Sequence, residues 1–394
     1  MNFFANLSTT QKGLLVAIMA VVIYVVSTSL TYSLVSKVSG KSASTGLTAS
    51  TPGTSGAQDE PDEPRTEACP LDGEMHTKTA KQAWEKRRPL AVMIENHVDA
   101  RPQSGLSAAD VVYEAVAEGG ITRFMAVFLC TYPDVQVGPV RSARTYFLDW
   151  VSEYDALYAH VGGANQPGPA DALSQINLYD VKDLNQFSIG FPTFWRDYER
   201  LGRQVATEHT MYSTTQKLWA VGEKRTWGSA DAKGVKWDKA FVAWKFKDPA
   251  PAGAGQATKI TVPFWNNQTQ YTVEWNYDST CNCYKRKNGG EDHIDMNNKK
   301  QIQPKNVVVQ FMAESHANDG YEGNVHLLYA TNGKKGAPSG QALIFQDGKV
   351  IKGTWKKADR LARTKFYDAS NQEISFNKGQ VFIQTVPTGN TVTY

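Results

Sequence analysis

The 394-residue sequence predicts a three-layer α/β domain followed by a β-rich domain, both behind a single N-terminal transmembrane helix. Three observations carry this prediction. Between residues 87 and 163, apolar segments with strand-like runs alternate with segments of helical spacing. Beyond residue 258, short apolar or alternating runs recur between Asp-Gly, Asn-Gly and Gly-Gly pairs, which are hairpin signals. Residues 13–35, GLLVAIMAVVIYVVSTSLTYSLV, carry no charge, and about 20 apolar residues span a bilayer core.

The apolar N-terminal run lacks a clear small-residue cleavage site, and no Cys follows it closely. It therefore reads as an uncleaved signal-anchor rather than a signal peptide or a lipid-modified leader. Lys12 lies on one side and Lys37 and Lys41 on the other, so positive charge barely orients it. The short tail 1–12 is placed in the cytoplasm and the body outside. Residues 36–68, rich in Ser, Thr, Gly and Pro and then acidic, read as a disordered tether.

The α/β ligand-binding domain is assigned to 69–247. RRPLAVMIEN (87–96) reads as a buried strand. LSAADVVYEAVAEGG (106–120) reads as a helix: Leu106, Val111, Val112, Ala115 and Val116 fall at helical spacing, Ser107 fits an N-cap, Asp110 fits N3, and Gly119-Gly120 is a stop. TRFMAVFLC (122–130) is a second strand, TYFLDWVSEY a helix, and ALYAHVGG a third strand. DPAPAGAGQA (248–257) is a linker by composition, and 258–394 is the β-rich domain.

Lys and Arg number 42 against 39 Asp and Glu. That balance provides no basic field for nucleic acid, and no zinc finger or RNP-type strand is present. No P-loop, G-x-S-x-G or H-E-x-x-H occurs. Four cysteines on an exported chain are compatible with disulfides. Cys69 and Cys130 form a plausible pair. Cys281 and Cys283 sit near the upper limit for bridging in an extended strand, whereas a turn would let them close a small ring. A zinc site would need two further ligands from scattered histidines, and no metal site is assigned.

The candidate site begins with GPVRSARTYFLDW (138–150). Arg141 and Arg144 carry fixed charge in planar forks that match phosphate or carboxylate oxygens. A helix starting just after Pro139 would put both on one face and add backbone N–H donors. A solvated face, with Asp149 and Glu153 as partners, is the competing reading. Ligands of open α/β sheets sit beyond the carboxyl ends of strands. That rule gathers Asn96, Arg101, Arg123, Ser142, Asn165, Arg196 and His209 as further ligand-binding candidates, with His97, Gln103 and Gln166 nearby. Glu95 and Glu118 are the catalytic candidates, as a carboxylate pair for glycoside chemistry. His97, His160 and His209 read individually as satisfied or exposed histidines. In the β-rich half, Trp355 beside Thr354, Lys356 and Lys357 offers a sugar-stacking face.

Several long motifs together resemble the YerB family of bacterial envelope proteins. They are RRPLAVMIENHVDARPQSGLSAADVVYEAVAEGGITRFMAVF, VGPVRSARTYF, DALYAHVGG, EHTMYS, NVVVQF and GQALIFQDGKVIKGTW. The resemblance covers about residues 69–386 and implies an α/β N-terminal domain, a β-rich C-terminal one, and no assigned activity. The departure is at the front, where a membrane helix stands in place of a lipid-modified cysteine. ITRFMAVF, PVRSART and DALYAHVGG are also similar in order to segments of the LytR–CpsA–Psr phosphotransferases, a likeness that would cast Arg123, Arg141 and Arg144 as phosphate clamps.

The expectation is a single-pass, extracytoplasmic cell-membrane protein. It would bind an anionic cell-wall glycan or lipid-phosphate ligand through the arginine cluster, with the membrane and a protein as possible partners and no cofactor specified. An enzyme on wall polymers, by phosphotransfer or glycan cleavage, and a non-catalytic regulator or adaptor of another wall enzyme are the alternatives.

Overall fold

The computed structural model describes residues 63–130, 134–251, 255–317, 326–328 and 338–394. The signal-anchor segment and residues 36–62 of the tether lie outside the described residues. Among the described residues, no helix is long and apolar enough to cross a membrane. The last tether residues are ordered: Glu67–Ala68 pair antiparallel with Met75–His76.

The longer helices among the described residues are α1 (Lys78–Trp84), α2 (Thr145–Ser152), α3 (Ala172–Leu178) and α4 (Thr215–Lys224). The principal strands of the first half are β1 (Leu90–Glu95), β2 (Val111–Glu118), β3 (Ile121–Phe128), β4 (Leu157–His160) and β5 (Lys182–Asn185). Those of the second half are β6 (Lys259–Val262), β7 (Val273–Asp278), β8 (Cys283–Asn288), β9 (Asn306–Met312), β10 (Ser339–Gln346), β11 (Lys349–Lys356), β12 (Lys365–Asp368) and β13 (Val381–Pro387). The first half is mixed α/β and the second strand-rich.

One ten-stranded mixed sheet runs β12-β11-β10-β9-β13-β2-β3-β1-β4-β5. The two halves meet inside it: β13 lies parallel to β2, from Val381 opposite Val111 to Thr385 opposite Ala115. Alternate residues feed two apolar layers. Ala91, Met93, Val111, Tyr113, Met125 and Val127 face one, under α2. Leu90, Val92, Ile94, Val112, Phe124 and Ala126 face the other, which also takes Leu218 of α4 and Ile260, Val262 and Trp275 of the small sheet β6-β7-β8.

The predicted helix over residues 106–118 is corrected to a strand. Only Leu106–Ala108 form a single 3₁₀ turn, and Val111–Glu118 are β2. Both faces of β2 are covered, and its first seven residues are buried. Burial on both sides removes the period-two alternation, leaving an apolar run that spacing alone cannot tell from a helix. The cap assignments fall with it. Asp110 Oδ2 accepts from the Leu129 and Cys130 amides at 2.5 and 3.0 Å. Gly119 and Gly120, both at positive φ (56° and 81°), form the two-residue β2–β3 hairpin turn instead of a helix stop. The predicted strands at 87–96, 122–130 and 156–163 and the helix at 145–154 are present as β1, β3, β4 and α2.

Cys69 is bonded to Cys130, with 5.9 Å between Cα atoms. Cys281 and Cys283 are bonded across 5.3 Å in the turn joining β7 to β8. Both described ends of the composition-defined linker meet the turn between β10 and β11, the Ala257 amide donating to Gly348 O at 2.9 Å. Lys245–Lys247 pair parallel with Ser375–Asn377, and the Ala250 amide donates to Asp347.

Candidate functional site

The site lies beyond the carboxyl ends of β1 and β4. These strands pair in parallel through Leu90–Val92 and Leu157–Ala159, and residues 139–143 then wedge between them. The Glu95 amide donates to Pro139 O at 2.9 Å and the Arg141 amide to Met93 O at 3.0 Å. On the other side, the Val161 amide donates to Arg141 O at 3.0 Å and the Ala143 amide to Gly162 O at 2.9 Å. The backbone of this segment is spent on the sheet, so it is not helical. Helix α2 starts at Thr145, with Arg144 in extended conformation at its N-cap. The expected shared helix face of Arg141 and Arg144, and the helix N-terminus after Pro139, are therefore corrected.

Each arginine meets a carboxylate. Arg141 Nε lies 3.1 Å from Glu95 Oε1, and His209 Nδ1 lies 2.8 Å from Glu95 Oε2. Arg123 Nη2 reaches Glu118 Oε1 at 2.8 Å, its Nη1 donates to Ser142 O at 2.9 Å, and Arg144 Nη2 contacts Glu118 Oε2. All four oxygens of Glu95 and Glu118 are thus held by cationic or imidazole nitrogens. Both candidate catalytic carboxylates are therefore committed to ion pairs with neighbouring cations or imidazole. Glu153, expected as a partner of this cluster, is instead bound by Lys357 and Arg363.

Burial pulls the Arg123 and Arg141 guanidinium groups down from their ordinary value, and Glu95 opposes that for both. The hydrogen bond to Glu95 raises the His209 pKa above its ordinary 6.5 against the opposing effect of burial. The His97 ring stacks on His209, with centroids 4.8 Å apart.

A cleft of about 500 Å³ opens over this segment. Arg141, Ser142, Asn165 and Arg196, four of the expected ligand-binding residues, line it together with Glu208, Phe187 and Met211. Arg123 and Arg144, at 1% and 6% exposure, stand behind the wall and are not among the lining residues. Among the described residues, the terminal nitrogens of Arg141 and the Ser142 hydroxyl have no hydrogen-bond partner. Arg196 donates through Nη1 to Thr207 O and Thr210 Oγ1, and among the described residues its other nitrogens have no partner. Gly162, at φ +58°, lets the Phe187 ring lie against the backbone, since a Cβ there would stand 3.0 Å from Cε2. Glu208, whose pKa is lowered chiefly by its own backbone amide and also by His209 and Arg141, is the acidic member of the rim. Sequence reasoning missed Glu208 and Phe187, although Glu208 stands in the EHTMYS segment beside His209.

The other candidates lie elsewhere. Asn96 donates to Thr122 Oγ1 at 2.7 Å and accepts from Gln103 and Asn288. Arg101 donates to Asn96 O and to Gln270 O, and burial lowers its pKa to about 10. They belong to a network that joins the halves of the chain. Arg286 of β8 reaches Glu114 of β2 at 2.6 Å, both side chains fully buried, and Gln384 of β13 donates to the same Glu114 oxygen at 2.9 Å. Asn96 and Arg101 are corrected from cleft ligands to members of this network. His160 is satisfied by Gly162 O and Asp183. The sugar-stacking face is corrected too: Trp355 is 2% exposed and donates to Phe311 O, and Lys357 is buried against Glu153.

Comparison with known proteins fits this architecture. Residues 75–228 match the model of the DUF3048 (protein of unknown function) N-terminal domain, and residues 260–383 match that of the DUF3048 C-terminal domain. The chain is 31% identical over 319 residues to "Putative lipoprotein YerB" of Bacillus subtilis (strain 168), covering 81% of this chain and 86% of that protein. The crystal structure of the YerB protein from Bacillus subtilis superposes with a TM-score of 0.66 at 26% identity, over 84% of this chain and all of that one. A chain that carries both halves of the family over one shared sheet, with an end-to-end relative in YerB, belongs to the DUF3048 family.

Proposed function

We propose that this protein is a membrane-anchored cell-envelope protein whose cleft binds an anionic ligand, a phosphate-bearing wall glycan or lipid phosphate. The envelope assignment draws support from the lipoprotein named among its relatives and from the uncharged run 13–35. The ligand reading rests on Arg141. Its Nε lies in an ion pair with Glu95 Oε1 at 3.1 Å, while its terminal nitrogens face a cleft of about 500 Å³ beside Ser142 and Arg196. An arginine ion-paired on its Nε side and open at its terminal nitrogens suits bidentate recognition of a phosphate or carboxylate. Phe187, 77% exposed at the rim, offers a face for a sugar ring or a prenyl chain.

The test is calorimetry on the full-length protein with glucose 1-phosphate and farnesyl phosphate as separate probes. Loss of one charge-assisted contact, about 1.5–3 kcal/mol, predicts that Arg141→Ala binds roughly 10- to 150-fold more weakly. Preference between the probes distinguishes a glycosyl from a lipid phosphate. Unchanged affinity of Arg141→Ala for both, with a melt like the parent's, contradicts the reading. So does a failure of the parent to bind either.

A further inference from the structure

A second cavity lies at the other end of β4 and β5. The cleft over Arg141 follows the carboxyl end of β4, whereas Asp155 and Ala156, just before β4, and Val181, just before β5, line a separate cavity of about 250 Å³. That volume lies just under the roughly 300–1,000 Å³ of sites for drug-sized ligands, which confines an occupant to a smaller molecule. Its wall is apolar, built from Val151 of α2, Val181, Trp237, Phe241 and Leu361, and it draws on both halves of the chain.

Among the lining residues, the cations Lys182, Lys236, Lys239 and Arg360 outnumber the carboxylates Glu153, Asp155 and Asp180. Of its three carboxylates, Glu153 is held by Lys357 and Arg363, at 2.7 and 3.0 Å. Asp155 is held by buried Arg88 and by Lys182, the latter at 2.6 Å. Each is outnumbered by its own cations. That leaves Asp180 against Arg360, Lys236 and Lys239. Arg360 lies over the Tyr179 ring at 4.1 Å and donates through Nη1 to Ser152 Oγ at 2.6 Å. Stacking and one hydrogen bond fix the guanidinium plane. Among the described residues its remaining nitrogens, and the ammonium groups of Lys236 and Lys239, have no partner.

We propose that this cavity is a second ligand site that takes a small amphipathic anion. An aryl or alkyl body would pack against Trp237 and Phe241, and a carboxylate would meet Arg360 and the two lysines. An apolar pocket with a fixed planar cation at its mouth distinguishes such an anion from a neutral molecule of the same shape, because only the anion gains the charge-assisted hydrogen bonds.

The experiment titrates the full-length protein with 4-phenylbutyrate and with its uncharged analogue 4-phenylbutanol, followed by calorimetry and by quenching of tryptophan fluorescence. Saturable one-to-one binding of the carboxylate is expected, with the alcohol at least about tenfold weaker. Leu361→Trp, at a position already 56% exposed, places an indole in the cavity and is expected to abolish binding without lowering the melting temperature. Arg360→Ala and Lys239→Ala each weaken it. Arg141→Ala leaves it unchanged, which separates this site from the cleft. Equal binding of acid and alcohol, full binding by a folded Leu361→Trp protein, loss of binding in Arg141→Ala, or no binding by the parent overturns the proposal.

Discussion

Replacing Arg286 with methionine tests how the two halves of the chain are held together. The guanidinium is fully buried, 2.6 Å from Glu114 Oε2 and 2.5 Å from His293 Nδ1, and ringed by Phe124, Trp275 and Phe382. Methionine fills the aromatic cage but leaves Glu114 without a cation. Three neutral donors remain to it: Thr122 at 2.9 Å, Gln384 at 2.9 Å and Asn96 at 3.3 Å. Removing one partner of a buried ion pair costs about 3–5 kcal/mol because the other charge is left uncompensated. That is a large share of the roughly 5–15 kcal/mol that a protein holds. Arg286→Met should therefore lower the melting temperature by on the order of 10 °C. Glu114→Gln should cost a comparable amount by orphaning Arg286. The double variant should lose less than the sum of the two, by about 1 kcal/mol or more, since contacting residues couple. Urea denaturation of the four proteins supplies the cycle. A loss below about 1 kcal/mol in both single variants, or strict additivity, would refute the claim that this pair is a buried, coupled bridge.

Further outcomes are expected at other positions. The raised His209 pKa means that the imidazolium–Glu95 pair adds stability below the ordinary value of 6.5, and that this stability is lost as pH rises through the shifted value. His209→Asn should flatten the pH dependence of the melting temperature in that window, and an unaltered profile would count against the pair. Burial, with Asp110 nearby, raises the Asp72 pKa well above 3.8, so the folded state loses stability as pH rises through the raised value. Asp72→Asn keeps the acceptor for the Glu74 amide. It should be more stable than the parent at neutral pH and no more stable near pH 3, and melts across that range check the sign. The Cys69–Cys130 bond closes a loop across 61 positions. The Cys69→Ala/Cys130→Ala protein should be less stable by about 4 kcal/mol in denaturant unfolding.

The parts legible in sequence are those whose signal is local. Branched apolar runs located β1, β3 and β4, and the aromatic segment after Arg144 located α2. β2 was obscured by its central position, since burial on both faces erases the alternation that marks a strand. The pairing of β13 with β2 joins residues 270 positions apart, and nothing in either segment alone announces it. The same limit governs the site. Arg141, Arg123, Arg144, Glu95, Glu118 and His209 were each visible as polar residues near strand ends, but which cation meets which carboxylate is a matter of three dimensions. Side-chain type marked the cluster. The pairing withdrew Arg123 and Arg144 from the cleft and left Arg141 facing it.

The most direct measurement is an anomalous difference map from crystals soaked in tungstate, a heavy phosphate analogue. An anion site at Arg141 predicts a peak within hydrogen-bonding distance of the Arg141 terminal nitrogens, on the Ser142 side of the cleft. A map with no peak there, in crystals where that cleft is open to solvent, would contradict it.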